Sequence, residues 1–227
     1  MKPRTQRIYL SAFLLIAFSF FAYSCQRQLH VKHQRDTPIS FGIIADCQYC
    51  QVEGTGVRKY SQSDSKLTEC VTHFNTLDLA YTMHLGDFID QDWESFDVVN
   101  PIYQSLEMPA LHVLGNHDFS VADSLKDMVR KKMNMPADYY DFPIDNWRFV
   151  ALNGNDISFH AYPEDSPNYN LATEYYEKRK IDSPKWNGAI GDEQLKWLEK
   201  VLIKASRQRE KVALFCHFPV YPENRHN

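Results

Sequence analysis

No run of more than three Lys and Arg occurs in this chain, and its 25 basic residues against 29 acidic ones leave a formal net charge of -4. Broad nucleic-acid binding needs clustered cations to neutralise phosphates, so the composition argues against that class. No internal repeat and no low-complexity tract is present, and at 44% hydrophobic and 14% aromatic the composition is globular rather than disordered or collagen-like. The main apolar run, Ile8 to Ala22, falls short of the ~20 residues that a spanning helix normally needs. Cysteine is scarce. Cys47 and Cys50 form a C-x-x-C, but no second close pair completes a zinc site, and the pair straddles a strand end and a polar loop instead of opening a helix. The redox reading is therefore the weaker one, and incidental cysteines the stronger. With Cys25 set aside, Cys47, Cys50, Cys70 and Cys216 permit disulfides without demanding them.

Lys2, Arg4 and Arg7 precede the apolar run, which ends in Tyr23-Ser24-Cys25, the layout of an export signal. The small residue before Cys25 resembles the processing site of bacterial lipoproteins, although Tyr23 is bulky for it. The expectation is a signal over residues 1–25, a tether over 26–38 and one domain over 39–227. The protein would then be an exported periplasmic or cell-envelope lipoprotein, held to the membrane by lipid or by an uncleaved signal.

Within the domain, Phe41 to Ala45 is a short apolar run of the kind found in a strand buried on both faces. Apolar positions at helical spacing from Ser63 to Leu77 and the run Leu79 to Leu85 complete a strand-helix-strand unit. A helix is expected around Trp93 to Leu106, a strand at Ala110 to Leu114, and a helix from Ser120 or Asp123 to Met133 with Ser120 as N-cap. Tyr139 to Phe142 and Trp147 to Leu152 form an antiparallel pair, and a helix from Asp192 leads to the strand Val212 to Phe215. Asn155 to Gly188, rich in Pro and Tyr, lacks a regular rhythm and reads either as a lid or as a flap that wraps the domain. The alternation predicts an α/β fold with its site at the strand C-terminal ends.

Four polar clusters each follow an apolar run: Asp46-Cys47-Gln48, Gly86-Asp87-Phe88-Ile89-Asp90, Gly115-Asn116-His117-Asp118 and Cys216-His217-Phe218-Pro219. If strand geometry continues past its end, Asp46 and Gln48 point the same way and share one ion. A single Asp at a strand end is more often a turn former, so the weight lies in the ordered set. Asp87 suits a bridge between two cations, since a carboxylate has two oxygens. His84, inside a strand, reads as a core histidine rather than a ligand.

The set resembles the calcineurin-like metallophosphoesterase superfamily, with its Asp-x-His, Gly-Asp-x-x-Asp, Gly-Asn-His-Asp or Glu, Gly-His-x-Pro and final Gly-His-x-His. The resemblance implies a two-sheet sandwich flanked by helices, with Asp46, Gln48, Asp87, Asn116 and His217 as ligands of two divalent cations. His117 would protonate the leaving group, and Asp118 would orient it. Gln48 stands where the family has histidine, and its harder oxygen favours Mn²⁺, with Mg²⁺, Fe or Zn²⁺ as alternatives. Asp-x-Gln-Tyr is similar to the motif of manganese-dependent ADP-ribose/CDP-alcohol diphosphatases, which implies a small nucleotide diphosphate substrate. Arg58 would hold the phosphate that is not attacked, against the plainer reading of a solvated charge. Tyrosines of the long insertion would stack a nucleobase or simply pack. No Gly-His-x-His comes after Pro219, and His226 stands one residue from the end, so the fold is expected to be incomplete at the C-terminus and metal affinity reduced. The rival readings are a non-catalytic nucleotide- or metal-binding lipoprotein fragment and a redox module built on Cys47 and Cys50. Oligomeric state is not indicated.

Overall fold

The structure, a computed structural model, describes residues 38–179 and 184–219, together with Leu29, Val31 and His33. The expected signal over 1–25, most of the tether and His226 lie outside the described residues. Three residues of the tether stretch nevertheless lie on the domain: Leu29 and Val31 pack against the main core, and His33 Nε2 is 3.4 Å from Asp145 Oδ2. Among the described residues no helix is long and apolar enough to cross a membrane.

Two three-stranded sheets form the centre. The first consists of β1 (Gly42–Ile44), β2 (Thr82–His84) and β3 (Ala110–His112), all parallel, in that order. Helices cross between these strands along the outer face: α1 (Ser63–Phe74) after β1 and α2 (Ser95–Tyr103) after β2. A short helix α3 (Val129–Lys132) precedes the second sheet. In it β4 (Tyr140–Ile144) pairs antiparallel with β5 (Trp147–Ala151), and β5 pairs parallel with β6 (Lys211–Phe215). Between β5 and β6 lie α4 (Pro167–Arg179) and α5 (Asp192–Gln208).

Aromatic side chains join the sheets. Phe41 stacks on Tyr81 at 5.0 Å, and Tyr81 meets Phe142 and Phe149 edge-on at 5.2 Å each. Such contacts add about 0.5–1.5 kcal/mol per pair to the stabilisation from burial. The second sheet follows the period of two that strands impose. Phe149 and Ala151 of β5 face the first sheet, while Val150 and Leu152 face α5, where they meet Val201, Trp197 and Leu198. The layers are therefore α1 with α2, first sheet, second sheet and α5, the flanked sandwich that the family resemblance implied.

Three local expectations are corrected. Ser120 does not cap a helix: it ends the 3₁₀ turn His117–Phe119, and residues Asp123–Met128 form another 3₁₀ turn before α3. The stretch read as irregular contains α4, with Pro167 as its first residue and Ala172 and Tyr176 buried one turn apart. Strand geometry does not carry Asp46 and Gln48 to the same side, because β1 ends at Ile44 and both residues adopt positive φ, 51° and 45°.

Candidate metal centre

All four clusters meet beyond the C-terminal ends of β1, β2, β3 and β6. At these points the backbone turns sharply, and Asp46, Gln48 and Asp87 have φ of 51°, 45° and 56°. Non-glycine residues rarely adopt that region, which costs of order 1 kcal/mol or more each and persists where surrounding contacts over-determine it. Those contacts are visible. Asp46 N–H donates to Gly86 O at 3.2 Å and Gln48 N–H to Asp87 O at 2.9 Å, so the first loop hangs on the second. A Cβ on Gly86 would lie 2.7 Å from His217 Nδ1, and one on Gly115 would collide with Asp87. The glycines let three loops and a histidine close on one point.

The donor atoms of Asp46, Asp87 and His217 lie within 4.8 Å of one another. His217 Nδ1–H donates to Leu85 O at 2.8 Å, which leaves Nε2 facing Asp87 Oδ2 at 3.5 Å. A metal-binding imidazole commonly has this arrangement, with one nitrogen fixed by a carbonyl and the other presented. Burial draws the His217 pKa down, but the hydrogen bond and charge of Asp87 outweigh it and raise it to about 9. Burial acts on Asp87 in the opposite sense, and His217 likewise prevails, holding its pKa below the ordinary value. Two carboxylates and an imidazole converging in this way suit a divalent cation. Gln48 Nε2 donates to Asp87 Oδ2 at 3.2 Å, so a half-turn of the amide plane brings its oxygen to the same place. Asn116 immediately follows Gly115, and the next main-chain N–H, that of His117, donates to Asp87 Oδ1 at 2.8 Å.

His117 is oriented by Asp90. Its Nδ1 lies 3.0 Å from Asp90 O and 3.2 Å from Asp90 Oδ1. Asp118 does something else. Fully buried, it accepts from Phe88 N at 2.7 Å, Gly115 N at 2.8 Å and Asp87 N at 3.2 Å, tying the second cluster to the third. Burial and then the charge of Asp87 raise its pKa to about 7. Asp90 was legible as the last residue of Gly-Asp-x-x-Asp, but spacing alone did not assign it to His117. His160, from the insertion, went unnoticed: burial lowers its pKa, as do the charges of Lys126 and His117, while Asp87 acts the other way.

Arg58 is exposed, its Nη1 donating to Tyr60 Oη at 2.9 Å, within electrostatic range of Asp90. Insertion aromatics largely pack on each other, Phe159 meeting Tyr169 at 5.3 Å and Tyr176 at 5.1 Å. His84 is a core residue, fully buried against Phe88, Tyr103 and His112, with Nδ1 accepting from Gly86 N at 3.3 Å. Cys47, Cys50, Cys70 and Cys216 are free thiols. Burial pushes Cys47 up to about 12 and raises Cys50 too, the opposite of an activated redox pair.

Residues 39–227 match the calcineurin-like phosphoesterase family. The chain is similar to proteins named manganese-dependent ADP-ribose/CDP-alcohol diphosphatase from Oryza sativa subsp. japonica and Bos taurus. The first is 32% identical over 83% of this chain and 68% of its own length; the second is 29% identical over 88% and 73%. Among solved structures, a dimetal phosphatase from Danio rerio superposes with a TM-score of 0.69 at 26% identity, over 81% of this chain and 71% of that one.

Proposed function

This chain belongs to the calcineurin-like phosphoesterase family, and from that premise we propose that it hydrolyses the phosphoanhydride bond of small nucleotide diphosphate derivatives such as ADP-ribose and CDP-alcohols. The relatives' names supply the substrate class. The chemistry rests on one observation, the convergence of Asp46, Asp87 and His217 within 4.8 Å beside His117. Two divalent cations, Mn²⁺ foremost, would supply Lewis acidity and charge neutralisation at the phosphoryl group. Asp46, Gln48, Asp87, Asn116 and His217 would hold them. His117, its Nδ1 held by Asp90, presents Nε2 to protonate the departing oxygen. Arg58 is suited to hold the phosphate that is not attacked. Asp118 supports the site from beneath by holding the backbone of Asp87 and Gly115.

The amino-terminal Lys/Arg, apolar and Cys25 pattern supports export with a membrane anchor at the N-terminus, as in a bacterial envelope lipoprotein. The test of activity is hydrolysis of ADP-ribose and CDP-alcohols by the purified chain with and without Mn²⁺. Metal-dependent turnover that disappears in Asp87→Asn is the expected result. Turnover equal in the variant, or indifferent to chelator, would overturn the proposal. Nucleotide binding without turnover would favour the non-catalytic alternative.

A further inference from the structure

The N-terminal stretch enters the fold at the end opposite the metal centre. Leu29 lines a cavity of about 460 Å³ with Lys204, Gln208 and Glu210, at the junction of α5 and β6. His33 reaches Asp145 in the turn between β4 and β5, and Lys211 N–H donates to Asn146 O in that turn at 2.7 Å. From this end β5 and β6 run parallel toward the metal centre, with His217 two residues beyond the last residue of β6. Entry point and candidate active site therefore occupy opposite ends of the same strands.

The entry end is also basic. Lys204, Arg207, Arg209 and Lys211 are all exposed, and Ile203 beside them is 44% exposed. Among the described residues none of these four cations has an ion pair. The nearby carboxylates are otherwise engaged: Glu210 grips Arg148 Nε at 2.6 Å and Nη2 at 2.9 Å, Asp141 also pairs with Arg148, and Asp145 faces His33. The field at this end is thus positive on a chain whose net charge is -4. Cys25 lies four residues before Leu29, and an extended chain covers at most about 14 Å in that distance. An anchor at Cys25 would keep Leu29, which lines the same cavity as Lys204, no more than that distance from the lipid, so the tether lets the basic end approach to within the Debye length of about 8 Å at which charged surfaces act on one another.

We propose that this end of the molecule, the C-terminal part of α5 with the start of β6, is a docking surface for an anionic bilayer. It makes the domain stand on the membrane with its metal centre turned toward bulk solvent. This rests on the reading of the N-terminus as a membrane anchor. Soluble nucleotides then reach the site unobstructed.

The test uses the full chain reconstituted in phosphatidylcholine vesicles with and without phosphatidylglycerol. Exposed lysines are labelled with a water-soluble acetylating reagent and read by mass spectrometry. On anionic vesicles Lys204 and Lys211 are expected to react several-fold more slowly than on neutral ones, with the difference abolished by high salt and by Arg207→Glu/Arg209→Glu. Lys66, beside Asp46 at the other end, should react equally on both. Retention on both vesicles with no change at Lys204 and Lys211 overturns the docking surface while leaving the anchor intact. Protection of Lys66 instead overturns the orientation. Retention on neither vesicle removes the anchor and the proposal together.

Discussion

His117 and Asp118 are sequence neighbours with opposite duties. His117 faces the site through a ring fixed by Asp90, whereas Asp118 faces inward and satisfies four main-chain donors. Replacing Asp90 with Asn keeps the side-chain shape but removes the charge opposite Nδ1. Turnover should fall roughly 10²-fold with KM nearly unchanged, because the general-acid role proposed for His117 is exercised only in the transition state. Steady-state kinetics checks this, and a loss confined to KM would contradict it. Asp118→Asn should differ in kind. It puts an amide where two oxygens accept buried N–H groups, so the expected cost is stability, about 2–3 kcal/mol in a denaturant titration. Partial loss of activity would come with it, from loosening of the Asp87 loop.

The strands of the first sheet have three residues each, so the site is built by the loops at their C-terminal ends. Asp46, Gln48 and Asp87 lie in loops whose left-handed turns are held by hydrogen bonds from one loop to the next. Gly115 is the point of closest approach. Gly115→Ala places a methyl group against the Asp87 carboxylate and should lower Mn²⁺ affinity roughly 10-fold or more while α1 and α2 keep their helicity. Titration calorimetry and circular dichroism together test this; unchanged affinity would mean that the loops have more room than their packing indicates. Helices α1, α2 and α5 were legible because their apolar faces repeat at helical spacing. In α4 that signal is weak, since over residues 167–178 only Ala172 and Tyr176 are buried among many polar and tyrosine residues. Helix formation there comes from packing against Phe159 and the bond from Tyr176 Oη to Asn187 O.

For the whole molecule, the buried imidazoles weaken the fold in acid, against Asp118, whose pKa raised to about 7 acts in the opposite sense. Burial holds the His112 pKa at about 3, against 6.5 in an unfolded chain, and His84 is shifted in the same direction. Above pH 6.5 both states leave His112 neutral and it contributes no pH dependence. As the pH falls below that value the unfolded chain takes up a proton that the folded one refuses, so stability declines until about pH 3. At about pH 5 this one group should already cost about 2 kcal/mol, from 1.36 kcal/mol per pH unit. Between neutral pH and about pH 5, denaturant titrations of His112→Gln should show a stability change about 2 kcal/mol more favourable to the fold than in the parent chain. Equal slopes in the variant and the parent chain would exclude His112 as the source. The core that buries this histidine also joins the sheets, and Tyr81→Ala should cost roughly 3–5 kcal/mol because Phe41, Phe142 and Phe149 would all border the cavity.

By itself the sequence determined the order of the strands and of helices α1, α2 and α5, and the identity of the converging clusters, because apolar periodicity and residue type are local properties. Asp46, Asp87 and His217 were marked in that way, each just past a short apolar run. Only the tertiary structure decided which of these residues touch: that Asp90 and not Asp118 orients His117, and that the basic end of α5 meets the incoming chain. Such contacts depend on positive-φ turns and on side chains packed from distant parts of the chain, and neither leaves a periodic trace along it.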